Sequence, residues 1–310
     1  MKSIVIGVCF SPGGTAWFGR LIKNLERRTS DSSTLGFILV ANGYDDLERL
    51  KVEASSIKYP VHSIHLVEPT TRSGPRTGSV SHSMGVNFIY ENCPDCDMLV
   101  INDQDAFVTR SHWDQVSFSL FDKGVDLFGV KYPFRTKYYK FSESVAFKGM
   151  PYQRFPTLTW VALNLRRLRS AGLKRLTAYD ALYGTSQDVE PSYILGLPSS
   201  VRNLLGLPAG HDAWLIDTGF DLPFMLVDRG LRHLVLERAC ELGVEADLLH
   251  KLTEHAANCG VDTSAPNFPE EFLFDGKSFL LHYKHSSLKM GQVQSEFLIK
   301  FMEVLSDASI

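Results

Sequence analysis

No window of this 310-residue sequence approaches the roughly 18 unbroken apolar residues of a membrane-crossing helix, so no membrane span is expected. The opening "MKSIVIGVCFSPGG" carries an apolar run too short for a signal peptide, and it breaks at Pro12-Gly13-Gly14. The expectation is a soluble, cytoplasmic protein. Neither sign of charge dominates, with 32 Lys and Arg against 35 Asp and Glu and a formal net charge of −3. That excludes bulk attraction to nucleic acid, and any phosphate the protein binds must be held locally. Cysteine is sparse and odd in number, at positions 9, 93, 96, 240 and 259. Five scattered thiols fit reduced cysteines better than a disulfide framework, and "CPDC" at 93 to 96 lacks the second pair of a zinc knuckle, so it reads as a helix-to-strand turn. There is no G-x-G-x-x-G at the first helix, where "FSPGGTAW" stands instead, and no internal repeat or low-complexity tract.

What is present is a regular alternation. "SIVIGVCF" (3 to 10) is a continuous apolar run, the pattern of a strand buried on both faces. "TAWFGRLIKNLERR" (15 to 28) spaces Trp17, Leu21, Ile22 and Leu25 along one helical face and ends in basic residues suited to a helix C-terminus. "LGFILVA" (35 to 41), "VHSIHLV" (61 to 67) and "MLVI" (98 to 101) read as further strands, with helices over "YDDLERLKVEA" and "SVSHSMGVNFIYEN" (79 to 92) between them. Strand and helix alternating at this spacing predict an α/β fold with a mostly parallel central sheet flanked by helices. With 44% hydrophobic and 22% charged residues the chain can bury a large core.

In such sheets ligands bind beyond the carboxyl ends of the strands. The stretch "DMLVINDQDAFV" (97 to 108) delivers two carboxylates, Asp103 and Asp105, to that place. Residues two apart in an extended turn can converge on one hard divalent cation, and such a cation neutralises a diphosphate leaving group. Alone, Asp-Gln-Asp is also an ordinary solvated turn.

The succession "FILVANGYDD", "RTGSVSHSMGVNFIYENCPDCDMLVINDQDAFV" and "TWVALNLRRLRSAG" resembles the nucleotide-diphospho-sugar glycosyltransferases of the GT-A type over roughly residues 3 to 170. The resemblance implies a Rossmann-like GT-A fold in one continuous domain, with a nucleotide-sugar half at 1–130 and an acceptor half at 131–310. It also implies an acceptor-side insert, assigned to 177–212, and a C-terminal helix. "ANGYDD" matches the turn near the nucleotide, "MGVN" the following helix, and "NDQD" the Asp-X-Asp motif. Asp103 and Asp105 become ligands of Mn²⁺ or Mg²⁺. In "FLLHYKHSS" (279 to 287) His282 matches the third metal ligand better than His285. "AWLIDTGFDLPFMLVDRG" (213 to 230) is similar to the acceptor-side helix, whose acidic residue is the general base in inverting members. Asp217 is the match, with Asp212 and Asp221 as alternatives.

One departure stands out. Many uridine-diphosphate users carry an acidic residue before the turn Asn, where this chain has Ala41 before Asn42, so base recognition shifts to Asp45 or Asp46 or the donor carries another base. Arg72 and Arg76 in "TTRSGPRTGS" are candidate pyrophosphate contacts by bidentate pairing, in a loop whose Gly and Pro also suit a plain solvated connection. "VQSEFLIKFMEVLSD" (293 to 307) has helical spacing and suits packing on the domain, dimerisation or peripheral membrane contact.

The expected activity is metal-dependent, inverting transfer of a hexosyl or pentosyl group from a UDP, GDP or dTDP sugar to a glycan or glycolipid hydroxyl, in assembly of a surface polysaccharide. The rivals are a nucleotidyltransferase on a related sheet and a catalytically inactive sugar-binding or scaffold protein.

Overall fold

A computed structural model describes residues 1–10, 14–42, 44–67, 77–131, 146–147, 150–151, 154–177, 182–184, 214–216, 219, 222–243, 254, 257–258 and 270–283. The chain begins with β1 (Lys2–Phe10), a 3₁₀ turn (Gly14–Trp17) and α1 (Phe18–Arg28), then β2 (Ser33–Ala41), α2 (Tyr44–Ser55), β3 (Val61–Leu66), α3 (Thr77–Asn92) and β4 (Met98–Asp103). After the Gln104-Asp105 turn come β5 (Ala106–Val108), α4 (Trp113–Asp122), β6 (Leu127–Lys131), the short pair β7 (Ala146–Phe147) and β8 (Met150–Pro151), β9 (Pro156–Leu163) and α5 (Leu165–Ser170). The remainder is β10 (Leu182–Gly184), β11 (Trp214–Ile216), α6 (Leu222–Asp228), β12 (His233–Arg238), α7 (Ala239–Leu242), β13 (Glu270–Phe274) and β14 (Lys277–His282).

Ten strands form one sheet in the order β3-β2-β1-β4-β9-β6-β12-β13-β14-β5. The expected α/β architecture is present: β1 to β4 run parallel, and β6 pairs parallel with β12. The alternation of the first hundred residues did not announce β9, which enters antiparallel between β4 and β6. Its apolar run is indistinguishable by period from that of a parallel strand buried on both faces.

Side chains of a strand alternate between faces, and here both faces are covered. Ile4, Ile6, Val8 and Phe10 of β1 enter one core with Phe18, Leu21 and Leu50 of α1 and α2. Val5 and Cys9 of the same strand enter a second core with Val86 and Ile89 of α3, Leu168 of α5 and Leu226 of α6. This two-sided burial is why the strands read as unbroken apolar runs. The expected C-terminal helix at 293–307 and the insert at 177–212 fall almost wholly outside the described residues, apart from Thr177 and β10.

Close packing at β9 leaves no room for a side chain at one glycine. A Cβ at Gly129 of β6 would stand 2.7 Å from the Trp160 carbonyl oxygen and 2.9 Å from Val161 Cβ. A backbone carbonyl inside a sheet has little room to yield. Gly129→Ala is therefore expected to destabilise the fold by about 1–3 kcal/mol, read as a lower urea midpoint at unchanged m-value.

Candidate functional site

The cover of helices changes face at one place. Helices α1 and α2, which follow β1 and β2, pack on the first core, whereas α3, which leads into β4, packs on the second. Because β1 is flanked by β2 on one side and β4 on the other, the connections part between β1 and β4, and it is at the carboxyl ends of such a switch point that open α/β sheets bind ligands. Asp103, the last residue of β4, is in register there with Cys9 of β1.

The chain then turns through Gln104 and Asp105 into β5, which leaves the parallel strands and pairs with β14, His282 opposite Ala106. Tyr283 N donates to the Asp105 carbonyl at 2.9 Å, extending that pairing by one step. Strand β14 thus delivers His282 to the turn that carries the aspartates. One oxygen each from Asp103 and Asp105 and one imidazole nitrogen of His282 all lie within 4.8 Å of one another. Two carboxylates and an imidazole are a donor set able to hold a divalent cation.

The turn is held rigidly. Asn102, 1% exposed, donates from Nδ2 to the Asp103 carbonyl at 2.6 Å and to the Ala106 carbonyl at 3.0 Å, closing the turn from inside. Gln104 lies against the 3₁₀ turn so closely that a Cβ at Gly14 would fall 1.7 Å from its Oε1. Strand β5 borders α1, and Asn24 of α1 serves it as a substitute strand: Nδ2 donates to the Val108 carbonyl at 2.9 Å and Oδ1 accepts from Val108 N at 3.0 Å. Trp17, Phe107 and Tyr283 pack as an aromatic trio beside the turn, with ring centroids 5.9 to 6.3 Å apart.

Burial disfavours a charge on His282, yet the carboxylates of Asp105 and Glu270, with Asp103 further off, outweigh it and push its pKa up to about 10. The imidazole Nε2 is 3.5 Å from Asp105 Oδ1. A proton on this ring thus supplies part of the positive charge the two aspartates require. The Cys9 thiol beside them is pushed well up by burial and by Asp103, which keeps it neutral.

The sequence-predicted residues divide clearly. Asp103, Asp105 and His282 are brought together. Asn42 follows β2 at the carboxyl edge, and its Oδ1 is buried without a hydrogen-bond partner among the described residues. Asp45 lies in the first turn of α2, while Asp46 is buried and accepts from Thr15 Oγ1 at 3.1 Å. Arg72, Arg76, Asp212, Asp217, Asp221 and His285 lie outside the described residues. The described part of the acceptor-side segment is β11, Gly219 and α6, so its helix starts at Leu222 rather than across the whole segment. Sequence reasoning missed His82 of α3, whose Nε2 contacts Asp103 Oδ1 at 3.0 Å. Its position in the helix preceding the motif strand was the only available signal. Cys93 and Cys96 are buried with their sulfurs 3.7 Å apart, and among the described residues no third metal-ligating side chain joins them.

No protein-family model matches the chain, and no curated protein does. Among solved structures it is similar to the WbbM bifunctional glycosyltransferase, at 16% identity and a TM-score of 0.37 over 55% of this chain and 33% of that one. It is similar to mouse xyloside xylosyltransferase 1 at 12% identity and a TM-score of 0.45, covering 76% and 85% of the two chains. The mannosyltransferase PcManGT from Pyrobaculum calidifontis, solved with GDP-Man and Mn²⁺, matches at 16% identity and 0.35 over 55% and 46%. The chain thus spans a third of the length of the first of these and under half of the third. Likeness at this level does not carry function.

The raised pKa of His282 generates a pH dependence. Its folded-state value near 10 exceeds the ordinary 6.5, so the protonated ring stabilises the metal-free fold in full below about pH 6.5, and that stabilisation is lost as pH rises towards 10. Thermal unfolding in EDTA should show the stability gap between the native chain and His282→Gln narrowing over that window. A gap that stays constant with pH would show that the ring is neutral throughout.

Proposed function

We propose that the chain is a glycosyltransferase of the GT-A type, taking its sugar from a nucleotide-diphosphate donor with the help of a divalent cation. The observation that supports this is the convergence of Asp103, Asp105 and His282 at the carboxyl edge of the parallel strands, where β1 and β4 part. A parallel sheet binds ligands at that edge, and nothing in the bulk charge of −3 would hold a diphosphate elsewhere.

The mixed carboxylate and imidazole set suits Mn²⁺ better than Mg²⁺, which favours oxygen ligands alone. Such a cation offsets charge on the departing diphosphate. The chain's own residues do the rest. Asp103 and Asp105 present oxygens from a turn that Asn102 keeps from moving, so little reorganisation is needed when the donor arrives. His282 would hold the cation through a neutral imidazole nitrogen, beside the two carboxylates. Asn42 offers its unpartnered Oδ1 to the nucleoside, with Asp45 three residues further on, and Arg72 and Arg76 pair with the pyrophosphate. Apart from His282, residues 1–130 carry these donor contacts, and residues 131–310 form the acceptor side.

On the acceptor side Asp217 takes the proton of the attacking hydroxyl, with Asp212 and Asp221 as the alternative bases. Attack from the face opposite the leaving group inverts the anomeric carbon. The acceptor is a glycan or glycolipid hydroxyl, in polysaccharide assembly at the cytoplasmic side.

Thermal shift against UDP, GDP, dTDP and CMP, each with Mn²⁺ or EDTA, tests the reading. One diphosphate at 100 times its Kd should raise stability by about 2.7 kcal/mol with Mn²⁺, and the rise should vanish in EDTA and in Asp105→Asn. Identical responses from Asp105→Asn and the native chain would return "NDQD" to the status of a turn. With the donor identified, Asp217→Ala should lower the rate of transfer by about 10²–10⁴ while leaving donor binding intact.

A further inference from the structure

His282 has two ring nitrogens, and Nε2 is the one that faces Asp105. The other, Nδ1, lies 3.7 Å from Glu270 Oε2, an ion-pair separation. Glu270 opens β13 and is paired directly across the antiparallel ladder with His282, so the two side chains stand on the same side of the sheet. The carboxylate also engages Arg238. Its Oε1 accepts from Arg238 Nη1 at 2.6 Å, and Arg238, 6% exposed at the end of β12, lies over the Phe272 ring at 5.0 Å. With Arg238 fixed by burial and by the ring, Oε1 is engaged by the guanidinium, and Oε2 is the oxygen that faces the imidazole.

The chemistry of imidazole makes this arrangement consequential. A neutral ring has one N–H and one lone pair, and a cation can be held only by the lone pair. A carboxylate beside Nδ1 keeps the hydrogen there and leaves Nε2 as the acceptor. Nε2 is the nitrogen 3.5 Å from Asp105 Oδ1. We infer that Glu270 is a positioning residue that selects the Nδ1–H tautomer of His282 and thereby sets the affinity of the Asp103, Asp105 and His282 cluster for a divalent cation, with Arg238 fixing the Glu270 carboxylate. The inference rests on the metal reading of the site given above.

A purely structural role for the Glu270 and Arg238 pair would leave the cluster's affinity untouched, so affinity is the quantity to measure. Mn²⁺ binding to the full chain without nucleotide is followed by electron paramagnetic resonance of the free ion. Glu270→Gln should weaken binding about tenfold to a hundredfold. Glu241→Gln removes a different neighbour of Arg238, at 3.7 Å from its Nε, and should leave Mn²⁺ affinity unchanged. In a His282→Gln background, Glu270→Gln should cost nothing further, since its effect passes through the ring. Additive losses, or equal affinity in Glu270→Gln and the native chain, overturn the inference while leaving the metal site standing. A native chain that takes up no Mn²⁺ overturns both.

One measurement needs no altered Glu270. Long-range ¹H–¹⁵N spectra of histidine-labelled native chain with diamagnetic Cd²⁺, assigned against His282→Gln, should show ligation through Nε2 with Nδ1 protonated. Ligation through Nδ1 would refute the assignment even if Glu270→Gln failed to fold.

Discussion

Moving a carboxylate out of water costs several kcal/mol unless positive charge or donors meet it, and Asp105 is only 7% exposed. Its imidazole neighbour is His282, itself 9% exposed, whose Nε2 stands 3.5 Å from the carboxylate. The mutual dependence of these two side chains governs the architecture around them. It requires the end of β14 to stand against the turn after β4, and that requires β5 to leave the parallel strands and close the far side of the sheet. It also requires the edge of β5 to be covered, which the amide of Asn24 does.

Rigidity follows from the same constraint. A flexible turn could swing its carboxylates into water, and the Asn102 bonds on both sides of Asp105 prevent that. The packing of Gln104 on Gly14 ties the turn to the segment after β1, and Thr15 ties that segment in turn to Asp46 at the start of α2. The carboxyl ends of β1, β2 and β4 are therefore mechanically connected. A ligand that bridges them would meet groups already tied to one another.

Much of this was legible in the residues. The continuous apolar runs at 3 to 10, 35 to 41 and 98 to 101 identified buried strands, since both faces of the sheet are covered and no polar alternation is needed. Asp103 and Asp105 were legible because they interrupt such a run at its end. His82 and Glu270 were not. His82 reaches Asp103 through a helical phase that an apolar and polar pattern does not report, and Glu270 meets His282 only through the register of β13 on β14. Antiparallel β9 was equally silent, because direction leaves no mark on an apolar strand.

What the sequence by itself determined was local: which stretches are strands and helices, where the strands end, and that two carboxylates stand at one of those ends. Each rests on periodicity or on a break in it, and a window of some ten residues contains that information. The tertiary structure alone decided which faces α1 and α3 cover, and so where the connections part. It alone brought His282 to Asp105 and gave Glu270 one oxygen for Arg238 and one for the imidazole. These are contacts between segments far apart in the chain. Their energies come from burial and from charges meeting at low dielectric, and neither exists until the sheet has closed.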